Sequence, residues 1–273
     1  TVTGVQTCAL PISICPSAVG SYTVVGTVNN PNYAGTVTNT LTIGAVAPVI
    51  TQQPQSLAAE IGTNATLTVT ASGAPLYYQW FKDGVAVAGA TGSSLTFNPV
   101  ALTNAGNYNV VVSNTAGVAV SSNAVLAVRP VGAPIVRVDG QLVVGSVTKV
   151  GSAMISMEDS HANGLIFYTL DGSAADAFVS PLYDWAFVVN SSVVVRALGI
   201  DLDSLDMAEA PAISVNILPT YALTLTINGS GSVTANPATG PYPSNSVVTL
   251  TSVPAAGWQF DHWTGDASGS ANP

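Results

Sequence analysis

The 273-residue sequence has little charge and very little basic charge. Only 7% of its residues are Asp, Glu, Lys or Arg, whereas about 25% is usual for a soluble domain. Five Lys and Arg residues stand against fourteen Asp and Glu, and the formal net charge is −9. This composition excludes a nucleic-acid-binding surface, which needs a basic stripe. It also argues against a basic patch for anionic membranes.

The charge that is present lies in the second half of the chain. Residues 1–130 hold two acids and two bases, so that they are neutral. Residues 131–273 hold twelve acids and three bases and therefore carry the whole −9. Acidic chains of this kind stay soluble through self-repulsion, which says little about the fold.

Histidine, long apolar runs and helical patterns are also scarce. The two histidines, His161 and His262, are far apart in sequence, so no His-rich metal cluster or catalytic triad is visible. No apolar run reaches the ~18 residues of a membrane-spanning helix. We therefore expect a chain with no membrane span and no enzymatic activity of its own.

The sequence does contain many short alternating runs of Val, Thr, Ile and Tyr. Clusters of Asn, Gly, Pro and Ser separate these runs, which is typical of sandwiches and barrels. Pro-containing joints near Pro48, Pro130 and Pro219 lie about 85 residues apart, a usual module length. We predict an all-β chain of tandem β-sandwich modules.

Both ends of the sequence are interpreted as cut. Residues 2–12 resemble the translation of a common short-read sequencing adapter, so residues 1–13 are interpreted as an artefact and excluded from the fold. This exclusion removes Cys8 and leaves Cys15 alone, without a disulfide framework. We expect the remainder to be an internal piece of a longer protein.

Residues 14–45 contain the run Ser21–Val25, followed by an Asn-Pro turn at Asn29–Tyr33. The segment resembles the C-terminal part of an MBG-type repeat, a small sandwich found in tandem in large bacterial surface proteins. The front half of that module is missing. Half a sandwich leaves an open edge and an exposed apolar face, so we expect this segment to be poorly ordered alone.

Residues 46–129 place Trp80 eleven positions after Val69, and Tyr108 two positions before Val110. Asp83-Gly84 predicts a tight hairpin turn. The segment resembles bacterial I-set-like immunoglobulin domains over its whole length, which implies a central immunoglobulin-like sandwich in the chain. The resemblance implies a structural core of Trp80, Val69, Val110 and Tyr108. Val69 and Val110 stand where that family has its disulfide cysteines, and we interpret them as an apolar pair packed against Trp80.

Residues 130–218 hold three elements in order: Tyr168–Ser173, Ser180–Tyr183 and Val193–Ala197. They resemble the chitobiase/β-hexosaminidase C-terminal-type β-sandwich, a non-catalytic family that accompanies carbohydrate-active and surface proteins. Asp171 is predicted to cap its own turn through its side chain, while Gly172 supplies a positive φ.

Residues 219–273 carry a Gly-Ser-Gly-Ser-Val hairpin and the pattern Gly-Trp-x-Phe-x-x-Trp. They resemble a truncated divergent internalin-B-type repeat. We interpret Trp258 and Trp263 as part of the core of this repeat, with a surface contact as the alternative.

Two groups of residues are candidate binding sites. Trp185, with Tyr183, is a candidate platform for a sugar ring, and burial in a loop pocket is the alternative because most large aromatics are largely buried. The acidic run could hold calcium through its oxygen atoms, although its spacing lacks the Gly and terminal Glu of an EF-hand loop. A solvated acidic loop is the alternative. The run consists of Asp201, Asp203, Asp206 and Glu209. No other cofactor is indicated.

The resemblances imply a non-catalytic structural or adhesion stalk of a large extracellular bacterial protein, secreted or at the cell surface. Short Pro-containing linkers would make such a stalk semi-rigid. The alternative is a carbohydrate-binding accessory region of a secreted polysaccharide-degrading enzyme. The corresponding partners are cell-surface or polysaccharide ligands. Residues 46–218 are expected to fold alone.

Overall fold

The computed structural model describes residues 19–30 and 33–266. Within these ranges the regular structure is almost entirely β-strand, and the only helical element is a short 3-10 turn at Leu102–Asn104. The all-β prediction is confirmed. The adapter-like segment, residues 1–13, lies outside the described residues.

The first described element is a long hairpin of β1 (Gly20–Asn30) and β2 (Tyr33–Ile43). The strands pair antiparallel in unbroken register, from Gly20 opposite Ile43 to Asn30 opposite Tyr33. Among the described residues no third strand pairs with either of them. The described part of this segment is a regular ribbon, in which Thr- and Val-rich strands pair along their whole length. That the segment is poorly ordered alone stays a prediction, since a two-stranded hairpin is marginal in water.

Ten strands follow in residues 46–129. They are β3 (Val49–Gln52), β4 (Leu57–Glu60), β5 (Ala65–Thr68), β6 (Thr70–Ser72), β7 (Tyr77–Lys82), β8 (Val85–Ala86), β9 (Ser94–Phe97), β10 (Gly106–Asn114), β11 (Gly117–Val120) and β12 (Ala124–Arg129). By Cα packing the described chain forms two units. The first contains the residues up to Gln55, Thr66–Phe97 and Asn107–Ala124; the second contains Ser56–Ala65, Asn98–Gly106 and the residues from Val125 onward.

The first unit contains the central part of the immunoglobulin-like module. In it β7 pairs with β8 and β10, β10 also pairs with β11, and β3 pairs with β6. Val110 lies directly opposite Trp80 in the pairing of β10 with β7. Trp80, Val110, Val69 and Tyr108 are all buried. The indole of Trp80 donates to the carbonyl of Gly92 at 2.9 Å, so its one polar atom is satisfied inside the core.

Asp83 and Gly84 form the two-residue turn between β7 and β8. Both have positive φ, at +48° and +81°, as a type I′ hairpin requires. The Asp83 carboxylate accepts a hydrogen bond from the backbone amide of Asn107 at 2.9 Å. The turn predicted from the Asp-Gly pair is confirmed, and it is tied to the start of β10.

In the second unit, β4 and β12 form a parallel pair. Leu57 lies opposite Leu126, and Glu60 lies opposite Arg129. Leu126 and Val128 are buried, while Val125 and Ala127 on the opposite face are partly exposed. The alternation follows the period of two that a half-buried strand imposes.

The second unit continues as a two-layer sandwich. Its strands are β13 (Ile135–Val138), β14 (Gln141–Leu142), β15 (Ser146–Val150), β16 (Ala153–Glu158), β17 (Gly164–Thr169), β18 (Phe187–Val189), β19 (Val193–Asp201), β20 (Met207–Glu209) and β21 (Ile213–Leu218). One layer has the order β14-β13-β16-β18, and the other has the order β15-β21-β19-β17 with β20 beside β19. Val138, Ile155, Val195 and Val215, two from each layer, are buried in the core between them.

The turn after β17 has the predicted chemistry. The Asp171 carboxylate accepts from the backbone amide of Ser173 at 2.9 Å and from its hydroxyl at 2.6 Å, and Gly172 has φ +82°. The hydroxyl hydrogen bond, followed by the amide one, lowers the pKa of Asp171 below its usual value. The self-capped turn predicted from Asp-Gly-Ser is confirmed.

Residues 219–266 form four short strands in two pairs: β22 (Thr220–Tyr221), β23 (Gly231–Asn236), β24 (Tyr242–Pro243) and β25 (Thr249–Pro254). β22 pairs with β24, and β23 pairs with β25. No residue in this described segment is fully buried. Trp258 is 58% exposed, so its expected place in a core is wrong; Trp263 is partly buried and packs against Phe260 at 5.0 Å.

Candidate functional site

Trp185 lies in the connection between β17 and β18, and its side chain is 75% exposed. The structure thus does not have the loop pocket that was the alternative for this residue. We name residues 176–186 the aromatic loop. Its four exposed large apolar side chains are Phe178, Val179, Leu182 and Trp185. Concentrated apolar exposure of this kind marks binding surfaces more often than single exposed residues do.

The backbone of the aromatic loop is fixed on both sides of Trp185. Tyr183 donates its amide to Ile166 at 2.8 Å, and Tyr168 donates to Pro181 at 3.1 Å. β18 begins at Phe187, two residues after Trp185. The indole is therefore presented from a backbone tied to a sheet rather than from a free loop, and little conformational entropy is lost when it binds.

Tyr183 has a different environment from Trp185. It is partly buried against the sandwich core, and its ring meets Phe187 edge-on at 6.5 Å. Phe187 in turn stacks on Tyr168 at 5.0 Å. This placement makes Tyr183 the anchor of the loop. Tyr183 and Trp185 thus have different environments, and their shared role as a platform for a sugar ring stays a prediction.

Phe178 is held in a strained conformation at the other end of the loop. Its φ is +64°, a region that a bulky residue rarely adopts, and its side chain is 73% exposed. Its ring contacts buried Phe167 edge-on at 5.3 Å. Such a backbone conformation costs about 1–3 kcal/mol and persists where the surrounding structure enforces it, often at ligand sites.

The acidic run forms a compact turn after β19. Asp201 accepts the backbone amide of Asp203 at 2.9 Å, and the Ser204 hydroxyl lies 3.0 Å from Asp201 and 2.8 Å from Asp206. These hydrogen bonds, that of the Asp203 amide first, lower the pKa of Asp201. Asp203 accepts from the side-chain amide of Asn163 at 3.1 Å. The turn is thus held by its own side chains.

Glu209 does not join that turn. It lies on β20 and makes a two-pronged ion pair with Arg196 on β19, with both N–O distances at 2.7 Å. Within residues 19–30 and 33–266, no three His, Cys, Asp or Glu side chains are grouped so that they could hold a metal ion. The predicted calcium set of Asp201, Asp203, Asp206 and Glu209 is therefore not assembled, because Glu209 is committed to Arg196.

A second feature, which we name the joint, lies where β12 leads into the second sandwich. Arg129 Nη1 lies 3.0 Å from Glu60 Oε1, and the amide of Gly132 lies 3.4 Å from the same oxygen. Arg129 also donates to the carbonyl of Ala133. One carboxylate and one guanidinium thus hold β4, β12 and the linker together.

Most of the linker in the joint is buried, although Val131 is 65% exposed, and such burial is unusual for a connection between modules. Gly132, Ala133 and Pro134 are all buried. Gly132 has φ +79°, and a Cβ placed there would stand 2.9 Å from Nε2 of His161. Glycine is favoured at this position because its positive φ is one that other residues rarely adopt, and a side chain there would also displace the imidazole of His161.

An apolar cavity of about 150 Å³ lies beside the joint. It is lined by residues of the β4–β12 pair, the 3-10 turn and the second sandwich. Among them are Ala58, Leu102, Ala127, Pro134, Leu142 and Ile213. The joint combines polar contacts around the linker with apolar packing, since Ala133 belongs to the buried core of the second sandwich and Pro134 is fully buried.

Sequence reasoning identified Trp185 but not the joint. Glu60 and Arg129 are far apart in sequence, and their local composition carries no motif. The only available signal is scarcity, since they are one of the two acids and one of the two bases in residues 1–130. Phe178 carried no signal either, because nothing in its neighbours marks a positive φ.

Three family models match parts of the chain. Residues 47–114 match an immunoglobulin domain, residues 11–47 match an MBG domain, and residues 221–273 match a divergent InlB B-repeat domain. These matches confirm the three corresponding resemblances. They are module types that are generally non-catalytic. The resemblance of residues 130–218 to the chitobiase C-terminal type stays a prediction.

Similar proteins include a bacterial enzyme and several muscle-protein structures. Endoglucanase C of Cellulomonas fimi is 40% identical over 79 residues, 26% of this chain and 7% of that enzyme. The chain thus spans about 7% of the length of the curated relative it matches. A chimeric titin Z1Z2 carrying a decorin peptide is 30% identical, and the match covers 32% of this chain and 99% of the titin chain, with TM-score 0.28. Titin Z1Z2 in complex with telethonin is 20% identical, and the match covers 65% of this chain and 99% of the titin chain, with TM-score 0.31.

The described chain is all-β and has several modules, and three of its segments match models of different module types. Residues 47–114 are similar to an immunoglobulin domain, residues 11–47 to an MBG domain and residues 221–273 to a divergent InlB B-repeat domain. In the part of the chain that the structure describes, no helix is both long and apolar enough to span a bilayer.

Proposed function

We propose that this chain is a non-catalytic structural region of a large extracellular bacterial protein, in which it spaces and supports a binding or catalytic domain. The joint is the observation that carries this proposal. A flexible tether needs an exposed, weakly bonded linker, whereas here the linker residues Gly132, Ala133 and Pro134 are buried.

The contacts at the joint resist bending. Arg129 is 14% exposed and Glu60 27% exposed, so their ion pair is partly shielded from water. Hydrogen bonds to charged groups contribute about 1.5–3 kcal/mol each, and breaking this pair would leave a largely buried guanidinium without its acid. Bending at residues 130–134 must break that pair or expose the linker. A stiff connection suits a part that holds another domain at a distance.

The module types support a location outside the cell. MBG and InlB-type segments flank the immunoglobulin-like module, and the matched relative is named an endoglucanase. Low charge with few basic residues suits a chain that binds neither nucleic acid nor anionic membrane. Adhesion to a surface is a role within the same proposal, with the contact made by the domain that the chain supports.

Stiffness at the joint is tested by distance measurements between two spin labels. Ala101→Cys on the 3-10 turn side and Val188→Cys on β18 are both exposed positions in the second unit. Cys8 and Cys15 are replaced by Ser in all samples. We expect a single narrow distance distribution in the parent chain and a clearly broader one after Arg129→Ala.

The control is Arg137→Ala, which removes a more exposed pair with Glu158 at 3.8 Å that makes no contact with Glu60 or Arg129. It is expected to leave the distribution unchanged. A broad distribution in the parent chain would contradict the spacer proposal, because the joint would then bend freely with all of its contacts intact.

A second candidate function is that of a carbohydrate-binding accessory region of a polysaccharide-degrading enzyme. The specific observation in its favour is the 75% exposure of Trp185 on a fixed backbone. The named activity of the C. fimi relative supports the same direction. The two functions are compatible, since a spacer can also hold its partner domain close to a substrate.

A further inference from the structure

We infer that the aromatic loop binds a neutral polysaccharide chain, with Trp185 as the stacking platform and Phe178 as a second apolar contact. The inference rests on the proposed accessory role and gives it a site and a ligand class. It starts from the two most exposed aromatic rings of the second sandwich, both of which lie in one loop.

The loop is built to expose these rings. Tyr183 packs inward and its amide is bonded to β17, so the chain is anchored two residues before Trp185. Phe178 stays exposed at a strained φ of +64° while Phe167, which it touches, is buried. A loop selected for stability alone would turn these apolar rings inward, because burial of apolar area stabilises the fold.

The charge around the loop selects neutral ligands. Residues 130–218 contain ten acids and three bases. All three bases are paired with acids: Arg137 with Glu158, Lys149 with Asp139 and Arg196 with Glu209. The aromatic loop itself contains Asp176 and Asp184 and no base. Uronic-acid or sulfated polymers would be repelled, whereas the hydroxyl groups of a neutral sugar can donate hydrogen bonds to carboxylates.

The size of the surface favours a sugar over a protein. A stable protein interface takes about 20–30 residues on each side. The exposed apolar side chains of the aromatic loop number four and lie within eight residues of sequence. A pyranose ring needs only one aromatic face for its C–H groups and polar atoms at its rim, and Trp185 flanked by Asp184 supplies both.

The test is affinity electrophoresis of the full chain in native gels. The probe is hydroxyethylcellulose, a soluble neutral β-glucan, and polygalacturonate serves as the anionic comparison. We expect hydroxyethylcellulose to retard the chain and polygalacturonate to leave its mobility unchanged. Trp185→Ala is expected to weaken the apparent affinity about two- to tenfold, the scale of one aromatic contact. Phe178→Ala is expected to weaken it less.

Trp258→Ala is the matched control, since Trp258 is also exposed but lies in the InlB-type segment. It should retain the retardation of the parent chain. Thermal melting verifies that Trp185→Ala is folded, as expected for an exposed side chain. Absence of retardation, an equal loss in Trp185→Ala and Trp258→Ala, or retardation by polygalacturonate would each overturn the inference.

Self-association that depends on Trp185, seen by light scattering without glycan retardation, would also overturn it and make the loop a protein contact. None of these outcomes bears on the spin-label distances at the joint. Failure of the sugar site and failure of the spacer proposal are therefore distinguishable.

Discussion

Glu60 and Arg129 are paired twice, once through their backbones and once through their side chains. They lie opposite one another in the parallel β4–β12 pair, and Glu60 Oε1 is 3.0 Å from Arg129 Nη1. The ion pair therefore fixes the register of the same strands that lead into the joint. A slip of one strand by one residue would separate the two charges. It would also move the buried side chains of that strand to the opposite face of the sheet.

Removing one partner of this pair should destabilise the chain. We expect Glu60→Ala to lower the free energy of unfolding by about 1–3 kcal/mol, because it leaves a largely buried guanidinium without its acid. Chemical denaturation of Glu60→Ala, Arg129→Ala and the double variant gives the coupling between the two side chains. Glu158→Ala, which breaks a more exposed pair, should change stability by less than about 0.5 kcal/mol. Equal effects at both sites would contradict the role given to the joint.

Val69 and Val110 should accept a disulfide. Both are buried, and Val110 lies opposite Trp80, as the immunoglobulin pattern requires of its second cysteine. With Cys8 and Cys15 replaced by Ser, the double variant Val69→Cys/Val110→Cys should form a bridge and gain about 2–4 kcal/mol when oxidised. The measurement is melting with and without reductant. A double variant that keeps two free thiols under oxidising conditions would show that the valine pair is not in the disulfide position.

The stability of the second sandwich should fall at acid pH through Asp139. A hydrogen bond from Lys149, and then one from the backbone of Met154, hold the pKa of Asp139 below its usual value. A carboxyl group whose folded pKa is lowered stabilises the fold above its unfolded pKa of about 3.9, and this contribution is lost as the pH falls through the folded pKa. Asp139→Asn should therefore melt lower than the parent chain from pH 7 to 5, and the gap should close below about pH 4. A gap that stays constant down to pH 2 would rule out this linkage.

Residues 46–218 should fold without the segments on either side. The β1–β2 ribbon has no third strand among the described residues, and the described residues 219–266 include none that is fully buried. Limited proteolysis of the full chain with a low-specificity protease should therefore leave a core close to residues 46–218. Its melting temperature should lie within a few degrees of that of the main transition of the full chain. A resistant fragment that retains either flanking segment would contradict this expectation.

Local patterns in the sequence predict local features of this fold. Alternating Val and Thr runs predict strands, Asp83-Gly84 predicts a hairpin, and Asp171 predicts its own cap, because each depends on a few adjacent residues. The ion pair of Glu60 with Arg129 depends on two strands meeting in parallel, which no local pattern encodes. The exposure of Trp258 escaped prediction for the same reason: hydrophobicity favours burial, but the packing of the neighbouring strands decides whether a buried position exists.

The parallel pairing of β4 with β12 also determines how this part of the chain would carry a pulling force. The chain enters β4 at its N-terminal end and leaves β12 at its C-terminal end, so tension would draw the two strands in opposite directions along their length. The hydrogen bonds from Leu57–Leu126 to Glu60–Arg129 would then be loaded in shear, all together rather than one after another. Unzipping one bond at a time would need less force, so this arrangement suits a protein exposed to flow or traction.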